Sequence, residues 1–466
     1  MNEIDFQALK IVSAVQEAHA LLVQEIDVES SIFLVFAHDL VIHFSSILMH
    51  RQAVRRYPGD VKFPYVNRVY AQSPFPVDFE TATNVNVSTK RKLFLRRLAL
   101  SRVALGEAIP LGFGREKISA KWLNLFACYQ CFAKVFLPRR EWQIDAFKNL
   151  VDSLCKMFDI SNSKTILSNW ESYVALHTTS AQPVIHQKGL IVGTRNHLQN
   201  RKLAANYLQQ GLDVVAITHG EVSNAVMDEP PFGYSEKTLC STLVEYGTFI
   251  NSGKYNAPWI MPKQTFYRTG TLAKKVHRSA DDIVFPENTS AGLYIPTTYH
   301  RNNLYGPFHA FEDASYQAWQ KKLFTAISGL TFKAHPKSQS KPLEGVRVES
   351  RPLEKIMNQY DFLVFDYFAT GSMLALMSCK PVLYCDIGLR NLHPDFLEDL
   401  KKRCEYVKID NDDQSSGELA EIIKNQCNKG VVRTNQMMKR YVFCDESKFN
   451  LGSIFLALNA GRKIHS

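Results

Sequence analysis

From Gly189 to Cys385 the chain repeatedly switches period: short apolar runs give way to stretches of helical spacing and back again, and few folds accept that alternation. Gly189-Leu190-Ile191-Val192-Gly193 precedes the helix-patterned stretch Asn196 to Gln210, and Leu212-Asp213-Val214-Val215-Ala216-Ile217 follows, ending at Thr218-His219-Gly220. Strand, helix and strand on short connections build a parallel sheet, and strands covered on both faces read as unbroken apolar runs. Gln264 to Arg268 reads as the last strand of this unit, with Thr269-Gly270 as its turn. Lys274 to Asn288 is polar and charged, as a linker is. The rhythm then restarts: strand Ala291 to Pro296, helix Ala314 to Ile327, strand Leu330 to Ala334, helix Leu353 to Gln359, strand Phe362 to Phe365, helix Ser372 to Ser378 and strand Pro381 to Cys385. Two such units predict an α/β fold of two Rossmann-like domains, with a ligand cleft at the carboxyl ends of the strands.

Residues 1–180 lack that rhythm. Long helix-compatible runs, Ala8 to Glu25, Ser30 to Met49, Ala120 to Phe136 and Asp145 to Phe158, make this region mainly helical. The expected division is therefore a helical region over 1–180, a first Rossmann-like domain over 181–275, a linker over 276–290 and a second Rossmann-like domain over 291–466 ending in a helix. A chain of 466 residues exceeds what one compact core organises. Ile32 to Met49 is the most membrane-like stretch, but His38, Asp39 and His43 interrupt it, and charge at the middle of a span costs several kcal/mol, so it reads as a buried helix. Met1-Asn2-Glu3-Ile4-Asp5 carries acids where a secretory signal carries bases. The nine cysteines are odd in number and scattered, which fits a reducing compartment and a cytoplasmic protein. Cys128 and Cys131 form a CxxC inside an apolar run and have no second pair at zinc-ribbon spacing, so they read as core.

Lys and Arg exceed Asp and Glu by 55 to 45, a net charge of +10 that suits anionic partners without choosing among them. The densest block runs from Lys90 to Arg102 and interleaves bases with Leu93, Phe94, Leu98 and Leu100. As a helix it is either a peripheral contact for an anionic inner-membrane face or a solvated helix with its stripe in the core.

Three places at the ends of predicted strands carry chemistry. Phe362 to Phe365 runs through Asp366-Tyr367-Phe368-Ala369 into Thr370-Gly371-Ser372 and a helix. Free N–H groups at that helix start, with the hydroxyls of Thr370 and Ser372, would hold a phosphate; alternatively those hydroxyls only cap the helix. One βα unit earlier, Lys333-Ala334-His335-Pro336 leaves its strand at the same edge; His335 would donate to a phosphate or ribose, with Pro336 stiffening the turn, and adjacent strands would put His335 and Ser372 in one crevice. In the first unit, His219-Gly220-Glu221 follows a strand: His219, with a reference pKa near ~6.5, would deprotonate a hydroxyl, Glu221 would do so instead or orient the imidazole, or His219 simply bonds a carbonyl. The chain has no GxxxxGK[ST], no GxGxxG after a strand and no HExxH, which excludes P-loop, dinucleotide and zinc-protease chemistry; its one DxD, Asp410-Asn411-Asp412, stands in a polar segment that reads as a solvated loop, so no metal site is expected.

Taken in order, His219-Gly220, Phe266-Tyr267-Arg268-Thr269-Gly270, Lys333-Ala334-His335-Pro336, Asp366-Tyr367 with its hydroxyl turn, and Lys380-Pro381-Val382-Leu383-Tyr384 resemble the GT-B transferases of bacterial surface-polymer synthesis. The similarity is to the CDP-glycerol glycerophosphotransferases and to the Kdo transferases and sialyltransferases that use CMP-sugars, and it covers about residues 185 to 460. The resemblance implies a metal-independent, inverting glycosyltransferase that moves a sugar from a CMP- or CDP-linked donor to a glycan or glycolipid hydroxyl of the capsule or lipopolysaccharide. His219 would match the family's base, His335 with Pro336 the pair at the donor nucleotide, and Thr370 and Ser372 the hydroxyl turn at its phosphate. Where the glycerophosphotransferases have Asp-Tyr-Ser-Ser, Phe368 and Ala369 intervene here before the hydroxyl turn. The alternatives are a CDP-glycerol-type phosphotransferase, a nucleotide-sugar epimerase on the same fold, or a basic scaffold for membrane or nucleic acid. No RNA-recognition signature or zinc knuckle supports nucleic acid as the partner.

Overall fold

The computed structural model describes scattered positions within 10–44, then 108–111, 137–138, 141–161, 163–179, 189–192, 195, 198–217, 225, 238–246, 265–269, 283, 291–297, 313–335, 343–378, 380–390, 392–409, 415–427, 433, 434, 437 and 441. The Lys90 to Arg102 block, Cys128 and Cys131 lie outside the described residues. Thirteen strands are described: β1 Ala108–Leu111, β2 Leu137–Pro138, β3 Thr178–Thr179, β4 Gly189–Val192, β5 Asp213–Ile217, β6 Thr242–Tyr246, β7 Thr265–Thr269, β8 Gly292–Tyr294, β9 Leu330–Lys333, β10 Val348–Glu349, β11 Phe362–Phe365, β12 Val382–Asp386 and β13 Glu405–Lys408. The helices are α1 Glu141–Met157, α2 Ser163–His177, α3 Leu198–Gln209, α4 Asp313–Ala326, α5 Leu353–Ile356, α6 Thr370–Met377, α7 Pro394–Arg403 and α8 Ser416–Cys427.

The fold is α/β with two Rossmann-like sheets. The first has the order β1-β4-β5-β6-β7, parallel except for β1, which pairs antiparallel with β4. β1 was not legible in sequence: Ala108-Ile109-Pro110-Leu111 is short and holds a proline, which a sheet accepts on an edge strand. One core joins this sheet to helical residues far upstream, including Val35, Phe36, Leu40, Val41 and Phe44, and to α1, α2 and α3. At its centre Phe36 stands edge-on to Tyr173 at 5.6 Å and Trp170 to Tyr173 at 5.7 Å. The stretch around Asp39 is thus a buried helix, with Asp39 itself inside the core. Among the described residues no helix is long and apolar enough to cross a membrane.

The second sheet is parallel throughout, in the order β10-β9-β8-β11-β12-β13. Every residue of β8, β9 and β11 is buried, Thr331 and Lys333 of β9 included, as in a parallel sheet covered on both faces. Cores lie on both faces, one under α6 and α7 and the other under α4 and α8. Ile283, inside the expected linker, bridges Arg433 through paired backbone bonds of 2.8 Å, and the Arg433 guanidinium forks onto buried Glu405. The chain is therefore already anchored to the second unit before β8 begins.

Gly292 is fixed by its neighbours. It lies opposite Phe362 on one side and Leu330 on the other, and a Cβ there would stand 2.4 Å from the Phe362 ring tip and 2.6 Å from Leu330 Cδ2. Both side chains are buried, so neither swings away freely. Gly292→Ala is expected to cost about 1–3 kcal/mol by overpacking. In urea titrations, Phe362→Leu in the Gly292→Ala background should win part of that back; a silent Gly292→Ala would contradict the packing.

Candidate functional site

The chain enters the second sheet at β8, builds outward to β9 and β10, then returns to the other side of β8 for β11, β12 and β13. Numbered from its own start this is the doubly wound order 3-2-1-4-5-6, which leaves a crevice outside the carboxyl ends of the two strands where the winding reverses. Here those strands are β8 and β11. The crevice is bordered by Ile295-Pro296-Thr297 leaving β8 and by Asp366 to Gly371 leaving β11. A Cβ on Gly371 would lie 3.7 Å from Ile295 Cγ2, so the first turn of α6 sits directly beside the β8 exit.

The turn into α6 is closed by Ser372. Its hydroxyl donates to the Tyr367 carbonyl at 2.8 Å and accepts the Ala369 N–H at 3.1 Å, and the residue is 2% exposed. Of the two readings of Ser372, the geometry realises the cap. The N–H groups of Ser372 and Met373 already bond the Ala369 carbonyl, whereas those of Thr370 and Gly371 belong to the first turn, where a helix supplies no acceptor of its own.

Lys333 and His335 emerge from β9, and β8 lies between β9 and β11. The expectation that adjacent strands bring His335 and Ser372 together is corrected: at about 4.8 Å per strand the two exits are about 10 Å apart across the edge. Lys333 is buried, its ammonium donates to the Ala334 carbonyl at 2.7 Å, and burial pushes its pKa down against the pull of Glu349 and Glu354. His335 is half-buried, and Pro336 lies outside the described residues.

His219 and Glu221 also lie outside the described residues. β5 ends at Ile217 in the first sheet, whereas Ala225 is buried in the core of the second unit, its carbonyl accepting the His393 N–H at 3.0 Å. His393 opens α7, with Nδ1 accepting the Asp395 N–H at 3.3 Å.

Sequence reading passed over the most elaborate polar group of the crevice. Asp366 is fully buried, and its carboxylate accepts from the Tyr294 hydroxyl at 2.5 Å, the Tyr316 hydroxyl at 2.8 Å and the Trp319 Nε1–H at 2.8 Å. Gln320 donates to the Tyr294 oxygen at 2.9 Å, and the Thr297 N–H donates to the Tyr316 oxygen at 3.1 Å. Two signals were visible: an acid directly after a wholly apolar strand, and Tyr316 and Trp319 one helical turn apart on α4. Their partnership needed the fold. Burial drives the pKa of Asp366 up to about 6, with the three donors pulling the other way, while burial and the carboxylate hold both tyrosines well above their ordinary range, as donors.

The native state thus holds the Asp366 proton more tightly than the unfolded chain does. Stability from this group is complete below the unfolded value of 3.8 and falls as pH rises to about 6. At 1.36 kcal/mol per unit, Asp366→Asn should gain about 3 kcal/mol on the wild type between pH 4 and 7 in paired urea titrations. Parallel curves would mean the carboxyl does not titrate in that window.

No family model and no curated protein matches this chain. Among solved structures it is similar to a glycosyltransferase of kitacinnamycin, at 10% identity and a TM-score of 0.30 over 65% of this chain and 80% of that one. It is also similar to a putative UDP-N-acetylglucosamine 2-epimerase from Listeria monocytogenes, at 10% identity and a TM-score of 0.31 over 68% and 79% of the two chains. A third likeness is to the glycosyltransferase SnogD from Streptomyces nogalater, at 12% identity and a TM-score of 0.29 over 85% and 92%. Likenesses at this level fix neither substrate nor reaction.

Proposed function

We propose that this protein is a glycosyltransferase of the GT-B type that moves a sugar from a CMP- or CDP-linked donor to a hydroxyl of a cell-surface glycan or glycolipid. The observation that carries the reading is the reversal of strand order between β8 and β11, which leaves the N-terminal turn of α6 at the crevice where α/β sheets take nucleotides. The donor phosphate would rest on the Thr370 and Gly371 N–H groups, with Ser372 holding the turn that aims them. Lys333 and His335, with Pro336 after them, would reach the nucleotide from across β8. His219 or Glu221 would deprotonate the acceptor hydroxyl, which displaces the nucleotide in one step with inversion, and the N–H groups and Lys333 would stabilise charge on the leaving phosphate without a metal. Peripheral contact of Lys90 to Arg102 with an anionic membrane face would keep the enzyme near a lipid-linked acceptor.

A thermal-shift titration with CMP, CDP, UDP, GDP and ADP tests the donor site, since a ligand of the folded state stabilises it by about 2.7 kcal/mol at a hundredfold excess over Kd. Selective stabilisation by CMP or CDP is expected; no shift with any nucleotide would overturn the reading. With a donor in hand, His219→Ala should lower transfer by about 10²–10⁴-fold while leaving nucleotide binding intact. Full activity in that variant would move the base to Glu221, with Glu221→Gln as the deciding measurement. Saturable binding without transfer to any acceptor would favour the epimerase.

A further inference from the structure

The Asp366 cluster sits beneath the crevice and touches both of its borders. Tyr294 ends β8 and precedes Ile295-Pro296-Thr297; Asp366 follows β11 and precedes the turn into α6. Tyr316 connects the two, since its hydroxyl donates to the Asp366 Oδ1 and accepts the Thr297 N–H. Trp319 and Gln320, also from α4, fix the remaining acceptor positions at Asp366 Oδ2 and the Tyr294 oxygen. Every side chain in the chain of bonds is at least nine-tenths buried.

We propose that Asp366 is a positioning residue which, through Tyr316, clamps the Thr297 border of the crevice to the turn that begins α6, and so couples its own protonation to the binding of a nucleotide phosphate above it. The proposal rests on the nucleotide-binding reading of the crevice. Its physical content is reciprocal. A phosphate at the α6 turn is a like charge for the carboxylate below, so occupancy favours the protonated form, and protonation must favour occupancy by the same factor. The groups facing the carboxylate are Tyr294 from β8, Tyr316, Trp319 and Gln320 from α4, and Tyr384 from β12, whose own titration feels the Asp366 charge. Among the described residues no Lys, Arg or second acid bonds Asp366. The Arg390 guanidinium lies 5.0 Å from the ring of the next residue, Tyr367, and donates to the Phe368 carbonyl.

Trp319 makes the coupling visible, because its indole N–H bonds the titrating carboxylate. The difference in fluorescence between the full-length wild type and Trp319→Phe, followed from pH 4.5 to 8, should titrate with a midpoint near the Asp366 value of about 6 and be flat in Asp366→Asn. Saturating CMP should raise that midpoint by about half a unit, a threefold change in proton affinity. Tyr316→Phe keeps the ring and removes the hydroxyl link, so it should retain the Trp319 titration, leave only the small through-space part of its displacement by CMP and weaken CMP about tenfold. If CMP raises the melting temperature yet leaves the midpoint in place, or displaces it equally in Tyr316→Phe, the clamp is wrong and the nucleotide reading stands. If no nucleotide raises the melting temperature, the nucleotide reading fails and the clamp fails with it.

Discussion

Asp39→Ala is expected to lose about 3–5 kcal/mol of unfolding free energy, the largest effect of any single substitution considered for this chain. Asp39 and Arg201 are 6% and 1% exposed, with Nη2 and Oδ1 2.6 Å apart. The guanidinium also donates to the Val35 carbonyl at 2.7 Å and the Arg195 carbonyl at 2.8 Å, and Tyr173 donates its hydroxyl to the other Asp39 oxygen at 2.8 Å. Truncating Asp39 leaves a guanidinium in the core without its counter-charge and a buried phenol without its acceptor. Removing both charges is a different matter: Asp39→Leu with Arg201→Met should recover most of the loss, because two desolvation penalties vanish together. Urea unfolding of the two singles and the double decides this. A loss below about 1 kcal/mol for Asp39→Ala would mean that water reaches the pair.

Arg403→Met is expected to cost about 3 kcal/mol or more, and to do so by loosening α6. Arg403 is fully buried at the end of α7 and donates from Nε and Nη2 to the Leu376 carbonyl at 3.2 and 3.0 Å, and from Nη2 to those of Ser378 and Lys380 at 2.8 and 3.1 Å. These carbonyls lie at and just beyond the C-terminus of α6, where a helix has no N–H left to offer and where its dipole favours a cation. Methionine fills the space but donates nothing. Arg403→Lys should not rescue, since a compact ammonium on a flexible stem does not reproduce the planar fork. Because the other end of α6 borders the crevice, Arg403→Met should also weaken whatever nucleotide the thermal-shift titration identifies. Wild-type stability in Arg403→Lys would show that charge alone, and not the fork, holds the turn.

Much of the architecture is written locally. Phe362 to Phe365 reads as a buried strand because it is an unbroken apolar run, and the structure buries every residue of it. Gly371 and Ser372 read as a helix start because small and hydroxyl residues suit that position, and Ser372 closes the turn. Short or half-polar pieces were hidden: β1 holds a proline, β10 is two residues long, and β13 alternates as Glu405-Tyr406-Val407-Lys408, with buried Glu405 paired to Arg433.

Sequence alone determined the fold class and which strand ends carry polar turns, because period, apolar run length and turn chemistry act between neighbours in the chain. Tertiary structure alone decided the strand order that puts β8 between β9 and β11, the fork of Arg403 under α6, and the partners of Asp39 and Asp366. Asp39 meets Arg201 across 162 residues and Asp366 meets Tyr294 across 72. A buried acid announces in sequence only that it must be satisfied; which donor satisfies it is settled when the core closes, since only there does leaving it unpaired cost more than ordering its partners.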